Sequence, residues 1–299
     1  MPTITAYTQA GDDSADNEDW YAVSDGLIVV LDGATIRTET GCTHGLPWYV
    51  RQLGAAIMSG AQNLDRDLQR VLADAINHVA ALHSNTCDLA HPGTPSAAAG
   101  VVRISANKVD WLVLGDITVL IDTTDGLTAV TDDRVSQTGL AERRECDRYL
   151  IGTPEKMTAI LAMKQIELAS RNKDGGYWIA STDPTAVEHA HVGCLPRDQV
   201  LRLAACSDGA MRALTLTSIT DPAGVMAVLR SSGPKTVVDQ VRAAERNDPL
   251  GKRVPRNKAR DDATAVFADM NVLPADRPIS KAARQAAIRS IAYTTGEVL

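Results

Sequence analysis

Four short runs of strand-forming residues follow one another at 98–104, 109–114, 118–121 and 127–131, separated by only a few residues each. Connections that short leave no room for a crossover helix, so the linked strands must run antiparallel, and the stretch reads as a β-meander. The N-terminus has the same character: 3–8 alternates in the strand manner, and 20–24 and 27–31 flank Asp25-Gly26, a strong tight-turn signal. Helical spacing interrupts this pattern at Leu46, Tyr49, Val50, Leu53 and Ile57. It returns at Leu64, Leu68, Val71, Leu72, Ala75, Val79 and Leu82, and the two helices are expected to lie together on one sheet face. Pro154 opens another helix, where Met157, Ile160, Leu161, Met163, Ile166 and Leu168 fill much of the circumference and predict a well-covered element. Strands are further expected at 177–180, 200–205 and 263–267, and helices at 222–230 and 236–244. Strands follow strands more often than they alternate with helices. The expected class is therefore α+β, with mainly antiparallel sheets and helices packed outside them, not a doubly wound parallel fold.

With one Phe and four Trp in 299 residues, the core must be built from Val, Leu, Ile and Ala packed between regular elements. That length suits one large domain, placed at 1–272, followed by a basic, Ala-rich helical extension at 273–299 centred on 281–293. A net charge of −7 provides no global positive field, which argues against nucleic acid or an anionic membrane as partner. The five Cys (42, 87, 146, 194, 206) are odd in number and lack C-x-x-C spacing, so neither a disulfide framework nor a zinc finger is expected. The start, Met1-Pro2-Thr3-Ile4-Thr5, does not read as a signal peptide, and no run approaches the ~18 apolar residues of a membrane span. A cytoplasmic protein with reduced thiols is the expectation.

Acidic motifs stand at the ends of expected strands: Asn17-Glu18-Asp19, Asp32-Gly33, Ser207-Asp208-Gly209 and Asp261-Asp262-Ala263-Thr264. Asp32 and Asp208 each follow a hydrophobic run, which sets the carboxylate where the strand leaves the core. Gathered carboxylates repel one another unless a cation joins them. Oxygen donors without His or Cys among them point to a hard ion, Mg²⁺ or Mn²⁺. The Gly after each Asp allows close approach of an ion or phosphate to the backbone.

This ordered set resembles the type 2C (PPM-type) metal-dependent serine/threonine phosphatases. The matching stretches are Asn17-Glu18-Asp19, Leu31-Asp32-Gly33, Gly93-Thr94-Pro95-Ser96-Ala97, Leu114-Gly115-Asp116, Ser207-Asp208-Gly209 and Asp261-Asp262-Ala263-Thr264, spread over residues 4–269. The resemblance implies a four-layer α/β/β/α sandwich of two antiparallel sheets flanked by helix pairs. It also implies two divalent ions bridged by Asp32, with Asp208 and Asp261 on one, Glu18 and the Gly33 carbonyl on the other, and Asp116 with Asp208 offering a third site. Asp19 would orient water, and a hydroxide shared by the two ions would attack the phosphorus of a phosphorylated protein or peptide.

The match departs in places. Family members carry an Arg just upstream of the first motif, where this chain has Ser14-Ala15-Asp16; Arg37 and Arg51 are the candidate replacements for gripping phosphate. Ala34-Thr35-Ile36 stand where relatives place a His or Met-Gly-Gly, leaving His44 as the candidate proton donor. Pro95 and Ile117 replace Thr and Ser of the family pattern, and Cys206 reads as a small core residue. The loop 247–260, with Lys252, Arg253, Arg256, Lys258 and Arg260, leads directly into Asp261 and is placed to frame the site. The main functional expectation is a metal-dependent phosphomonoester hydrolase acting on phosphoproteins. The alternatives are a catalytically weak 2C-like binding module and a phosphatase of a small phosphorylated metabolite.

Overall fold

A computed structural model describes residues 2–270, so the helical extension expected at 273–299 lies outside the described residues. The first half of the chain runs β1 (Thr3–Gln9), β2 (Asp19–Ser24), β3 (Leu27–Gly33), α1 (Leu46–Gly60), α2 (Leu68–His83), β4 (Ala97–Ile104), β5 (Lys108–Leu114), β6 (Thr118–Thr123) and β7 (Gly126–Val130). The second half runs α3 (Arg134–Gln137), α4 (Leu140–Asp147), α5 (Pro154–Ser170), β8 (His191–Pro196), β9 (Val200–Cys206), α6 (Asp208–Met211), α7 (Ala213–Leu216), α8 (Pro222–Ser232), α9 (Pro234–Asn247) and β10 (Ala263–Asp269). The strands form two five-stranded sheets, ordered β1-β10-β9-β6-β7 and β2-β3-β4-β5-β8. Every strand pairing is antiparallel, as the short connections require.

Alternation within the buried strands generates the layers. In β3, Leu27, Val29 and Leu31 face α1 and α2, while Ile28 and Val30 face the other sheet. On the opposite sheet, Val266 and Ala268 of β10 point to the inter-sheet core, and Ala265 and Phe267 point to α8 and α9. Each fully buried Val, Leu or Ile contributes about 1.5–3 kcal/mol, so a one-residue slip of β3 would misplace a whole set of such contacts. The result is the expected four-layer sandwich: helices, sheet, sheet, helices.

Helix starts follow local chemistry. Asp67 caps α2 by accepting from Arg70 N at 2.6 Å, Thr153 accepts from Lys156 N ahead of α5, and Asp221 accepts from Gly224 N at 2.8 Å ahead of α8. The cap at Asp67 leaves Leu64 outside the second helix, in the preceding turn and exposed.

Three further expectations are corrected. The stretch 98–131 is not one meander, because β4 and β5 belong to one sheet and β6 and β7 to the other. The chain changes sheets at Gly115-Asp116-Ile117, where Gly115 takes φ +82° and Ile117 packs into the space left by Gly100. No strand forms at 177–180, which makes only the isolated bridges Ala97–Ala180 and Arg171–Tyr177. The sheet edge beside β5 is instead taken by β8, whose Gly193 lies under the Trp111 ring, where a Cβ would come within 2.3 Å of it. Finally, α5 is not well covered: Met157, Leu161 and Ile166 are 50%, 37% and 40% exposed. Its buried face instead takes in two charged residues. Lys156 donates to the Cys146 carbonyl at 2.8 Å, and Glu167 pairs with Arg143 at 2.5 Å and Lys164 at 2.7 Å.

Candidate active site

The β2–β3 hairpin sets Asp19 opposite Asp32. Asp32 stands at the end of β3, where the Gly33 N–H donates to the Glu18 carbonyl at 3.1 Å. A Cβ on Gly33 would sit 2.6 Å from that same oxygen, so the exit from the sheet requires glycine. From the other sheet, β9 ends at Cys206, and Asp208 opens the turn that follows. The Asp208 N–H donates to Asp32 Oδ2 at 3.3 Å, joining the ends of the two sheets. Gly209 has a similar constraint, since a Cβ there would lie 1.8 Å from the Asp262 carbonyl. Asp116 arrives on the segment that crosses between the sheets.

Beneath this cluster, buried Ser207 donates its hydroxyl to Asp19 Oδ2 at 2.8 Å and accepts from Thr264 N at 2.9 Å. Asp262 orients the first motif, accepting from Gly11 N at 2.7 Å and Glu18 N at 2.6 Å. Asp32, Gly33, Asp116, Asp208 and Asp261 line an open cleft of about 420 Å³.

The electrostatics of the cluster divide in two. Burial lifts Asp19 to about 8 and Asp116 to about 7, the latter aided by the charge of Asp208. Asp32 is raised well above the carboxylate range by burial and by Asp19 and Asp208, and Asp208 is raised by burial and by Asp261. At Asp261 burial also opposes ionisation, but Lys258 and Arg212 outweigh it and hold this carboxyl below its ordinary value. Lys258 Nζ donates to Asp261 Oδ1 at 2.5 Å and to Thr35 Oγ1 at 2.5 Å, and Arg212 Nη2 donates to Asp261 Oδ2 at 2.5 Å. Thr35 in turn donates to Glu18 Oε2 at 2.5 Å. Asp19, Asp32, Asp116 and Asp208 thus crowd together with all four carboxyls raised, Arg212 and Lys258 only partly offsetting Asp208 and Lys164 only partly offsetting Asp116, and Asp19 Oδ1 is buried with no hydrogen-bond partner. An oxygen-rich cluster of unbalanced negative charge fits a hard divalent cation.

The structure brings together Asp32, Gly33, Asp116, Asp208 and Asp261 along one cleft, with Asp19 below them and Glu18 reached through Thr35. Arg37 lines the cleft. Arg51 is exposed on α1 and His44 lies with Cys42, His83 and Cys87, and neither lines the cleft. In sequence Lys258 is one of several loop cations, and Arg212 and Thr35 are not among the expected site residues. Lys258 stands three residues before Asp261, and Arg212 one helical turn after Asp208; those offsets were the available signal.

No protein-family model matches the chain, and no curated protein sequence matches it. Solved structures do. The catalytic domain of the serine threonine protein phosphatase PstP, in complex with 2 manganese ions, is 16% identical with a TM-score of 0.52, covering 90% of this chain and 97% of that one. MsPP, a PPM Ser-Thr phosphatase from Mycobacterium smegmatis in complex with cacodylate, is 16% identical with a TM-score of 0.53, covering 89% and 97%. The serine/threonine phosphatase Stp1 from Staphylococcus aureus is 14% identical with a TM-score of 0.52, covering 90% and 95%. The chain has the fold of the PPM-type phosphatases over nearly its whole described length.

Proposed function

We propose that this protein is a metal-dependent phosphomonoester hydrolase acting on phosphorylated serine or threonine in proteins. The carrying observation is the convergence of Asp32, Asp116, Asp208 and Asp261 from both sheets on one open cleft. The shared fold adds support, since PstP is described with manganese and as a serine threonine protein phosphatase. The residues fit Mg²⁺ or Mn²⁺. Asp32 would stand between two ions, Asp208 and Asp261 would face one, the Gly33 carbonyl and Glu18 the other, and Asp116 with Asp208 would offer a further place. Ions held there supply charge neutralisation for phosphoryl oxygens and an acidified water as nucleophile.

The chain's own groups complete the site. Lys258 and Arg212 balance Asp261, and Lys258 also fixes Thr35 at the cleft wall. Arg37 is one of four cleft-lining arginines, and it is the one we assign to a phosphate in place of the missing upstream Arg. Asp19, held by Ser207, stands behind Asp32 and orients solvent at the floor. The cytoplasm, where phosphoproteins and reduced thiols coexist, is the proposed place of action; no described helix is long and apolar enough to cross a membrane.

Hydrolysis of p-nitrophenyl phosphate and of a phosphothreonine peptide with Mn²⁺, Mg²⁺ or EDTA tests the reading. Turnover should need metal and should be lost in both Asp32→Ala and Asp208→Ala. Folded wild-type protein that turns over neither substrate with either metal would defeat the proposal.

A further inference from the structure

Where α1 begins and α2 ends, the fold gathers four soft donors that sequence spacing keeps apart. Cys42 and His44 lie in the loop between β3 and α1, His83 is the last residue of α2, and Cys87 lies in the turn after it. Because α1 and α2 pack side by side, the entry to one helix meets the exit of the other. The two sulfurs are 3.3 Å apart. Cys42 Sγ lies 3.5 Å from His83 Nδ1 and 3.9 Å from His44 Nδ1, and Cys87 Sγ lies 3.3 Å from His44 Nδ1. All four donor atoms fall within 4.8 Å of one another. Zinc–ligand bonds of about 2.3 Å to sulfur and 2.0–2.1 Å to nitrogen give tetrahedral donor–donor edges of roughly 3.3–3.8 Å, close to these separations.

We propose that Cys42, His44, His83 and Cys87 form a closed tetrahedral zinc site that staples the β3–α1 loop to the end of α2. A Cys₂His₂ set selects zinc over the hard ions suited to the acidic cleft, and four protein ligands leave no open position, so the role is structural. Both sulfurs bind as thiolates, and any thiol proton still carried leaves to solvent on binding. The surroundings are shaped to hold the ligands. The Trp48 ring packs 4.3 Å from His44 and 5.2 Å from His83, and Thr43 N donates to Cys87 Sγ at 3.4 Å. Asp88 N donates to the Gly41 carbonyl at 2.8 Å, tying the two loops together just beside the ligands. Thiols are weak hydrogen-bond partners, so hydrogen bonding alone gives little reason for two thiols and two imidazoles to converge on one point. The loop so anchored also carries Arg37 to the cleft wall, which links the staple to the geometry of the acidic site.

Metal analysis of the full chain, purified without chelator from zinc-supplemented medium, tests the assignment. About one zinc per chain is expected in the wild type, in Asp32→Ala and in Cys194→Ser, and its loss in Cys42→Ser and Cys87→Ser. Replacing zinc by Co²⁺ should produce the thiolate charge-transfer absorption and strong visible bands of a tetrahedral sulfur site, which an oxygen-lined site does not give. His44→Gln, altering an exposed ligand, guards against misfolding of the other variants: it should keep the wild-type circular dichroism yet yield zinc faster to a competing chelator. Absence of zinc and of the cobalt bands from folded wild-type protein would overturn the proposal. Retention of zinc by both Cys variants would also overturn it, as would a Cys42–Cys87 crosslinked peptide in place of metal.

Discussion

Asp19 is 6% exposed, and of its two carboxyl oxygens only Oδ2 has a donor, Ser207, while Oδ1 has none. Burial raises its folded-state pKa to about 8, from the 3.8 of an accessible Asp. Between those values the folded chain holds a proton that the unfolded chain has released, so this group's contribution turns against folding as pH rises through that window. In EDTA, the melting temperature is expected to fall between pH 5 and pH 8. Asp19→Asn should remove part of that fall, raising the melting temperature by ~3 °C or more at pH 8 and by less at pH 5. Differential scanning fluorimetry across the pH range checks both, and equal gains at the two pH values would mean that the Asp19 charge is not the cause. Lys258 shows the opposite balance, since its ammonium neutralises Asp261 and fixes Thr35. Its removal in Lys258→Ala should lower kcat/KM for p-nitrophenyl phosphate by about 10–100-fold, with Lys258→Arg retaining more, because a preorganised charge at the reacting centre is lost.

At the scale of elements, the contact between α1 and β2 turns on Gly54. A Cβ there would fall 2.2 Å from the Trp20 ring. In an exposed helix Gly→Ala stabilises by up to ~1 kcal/mol, but overpacking a filled contact costs about 1–3 kcal/mol. Gly54→Ala is therefore expected to destabilise, and a urea midpoint that rises instead would show that the Trp20 ring yields freely. Which elements could be read from sequence follows the same local logic. β3 and β9 were legible because each is a hydrophobic run with an Asp at or just beyond its end: Asp32 within β3, Asp208 two residues after β9. β8 was not, because its Gly193 is set by the Trp111 ring across the sheet, a partner that local pattern does not reveal. The covering of α5 was misjudged because Lys156 and Glu167 hide behind polar partners while Met157, Leu161 and Ile166 face outward. His44, only twelve residues from Asp32, looked near in sequence, yet its loop runs away from the cleft to the end of α2. The acidic site was legible because strand ends and Asp-Gly pairs carry their own signal; the Cys/His cluster was not, because it exists only once α1 and α2 pair.

For the molecule as a whole, the acidic cleft lies where two independently hydrogen-bonded sheets meet. Asp32 belongs to one sheet and Asp208 follows a strand of the other, and the two ends are joined there by the 3.3 Å contact from Asp208 N to Asp32 Oδ2 and the 2.8 Å bond from Ser207 to Asp19 Oδ2. A divalent ion held by both would convert mutual repulsion into a bridge between the sheets and would bind the folded state alone. At a concentration one hundred times its dissociation constant, such a ligand stabilises by about 2.7 kcal/mol. For a domain near this size that corresponds to a rise in melting temperature of roughly 5–10 °C. Mn²⁺ added to chelator-stripped protein is expected to produce this rise in the wild type and in Arg51→Ala, whose guanidinium lies away from the cleft. Asp32→Ala and Asp208→Ala should each lose most of it. Cys42→Ser should still show the full response to Mn²⁺. If that response disappeared in Cys42→Ser but persisted in Asp32→Ala, the manganese effect would belong to the Cys/His cluster, and the acidic cleft would have no claim to the metal.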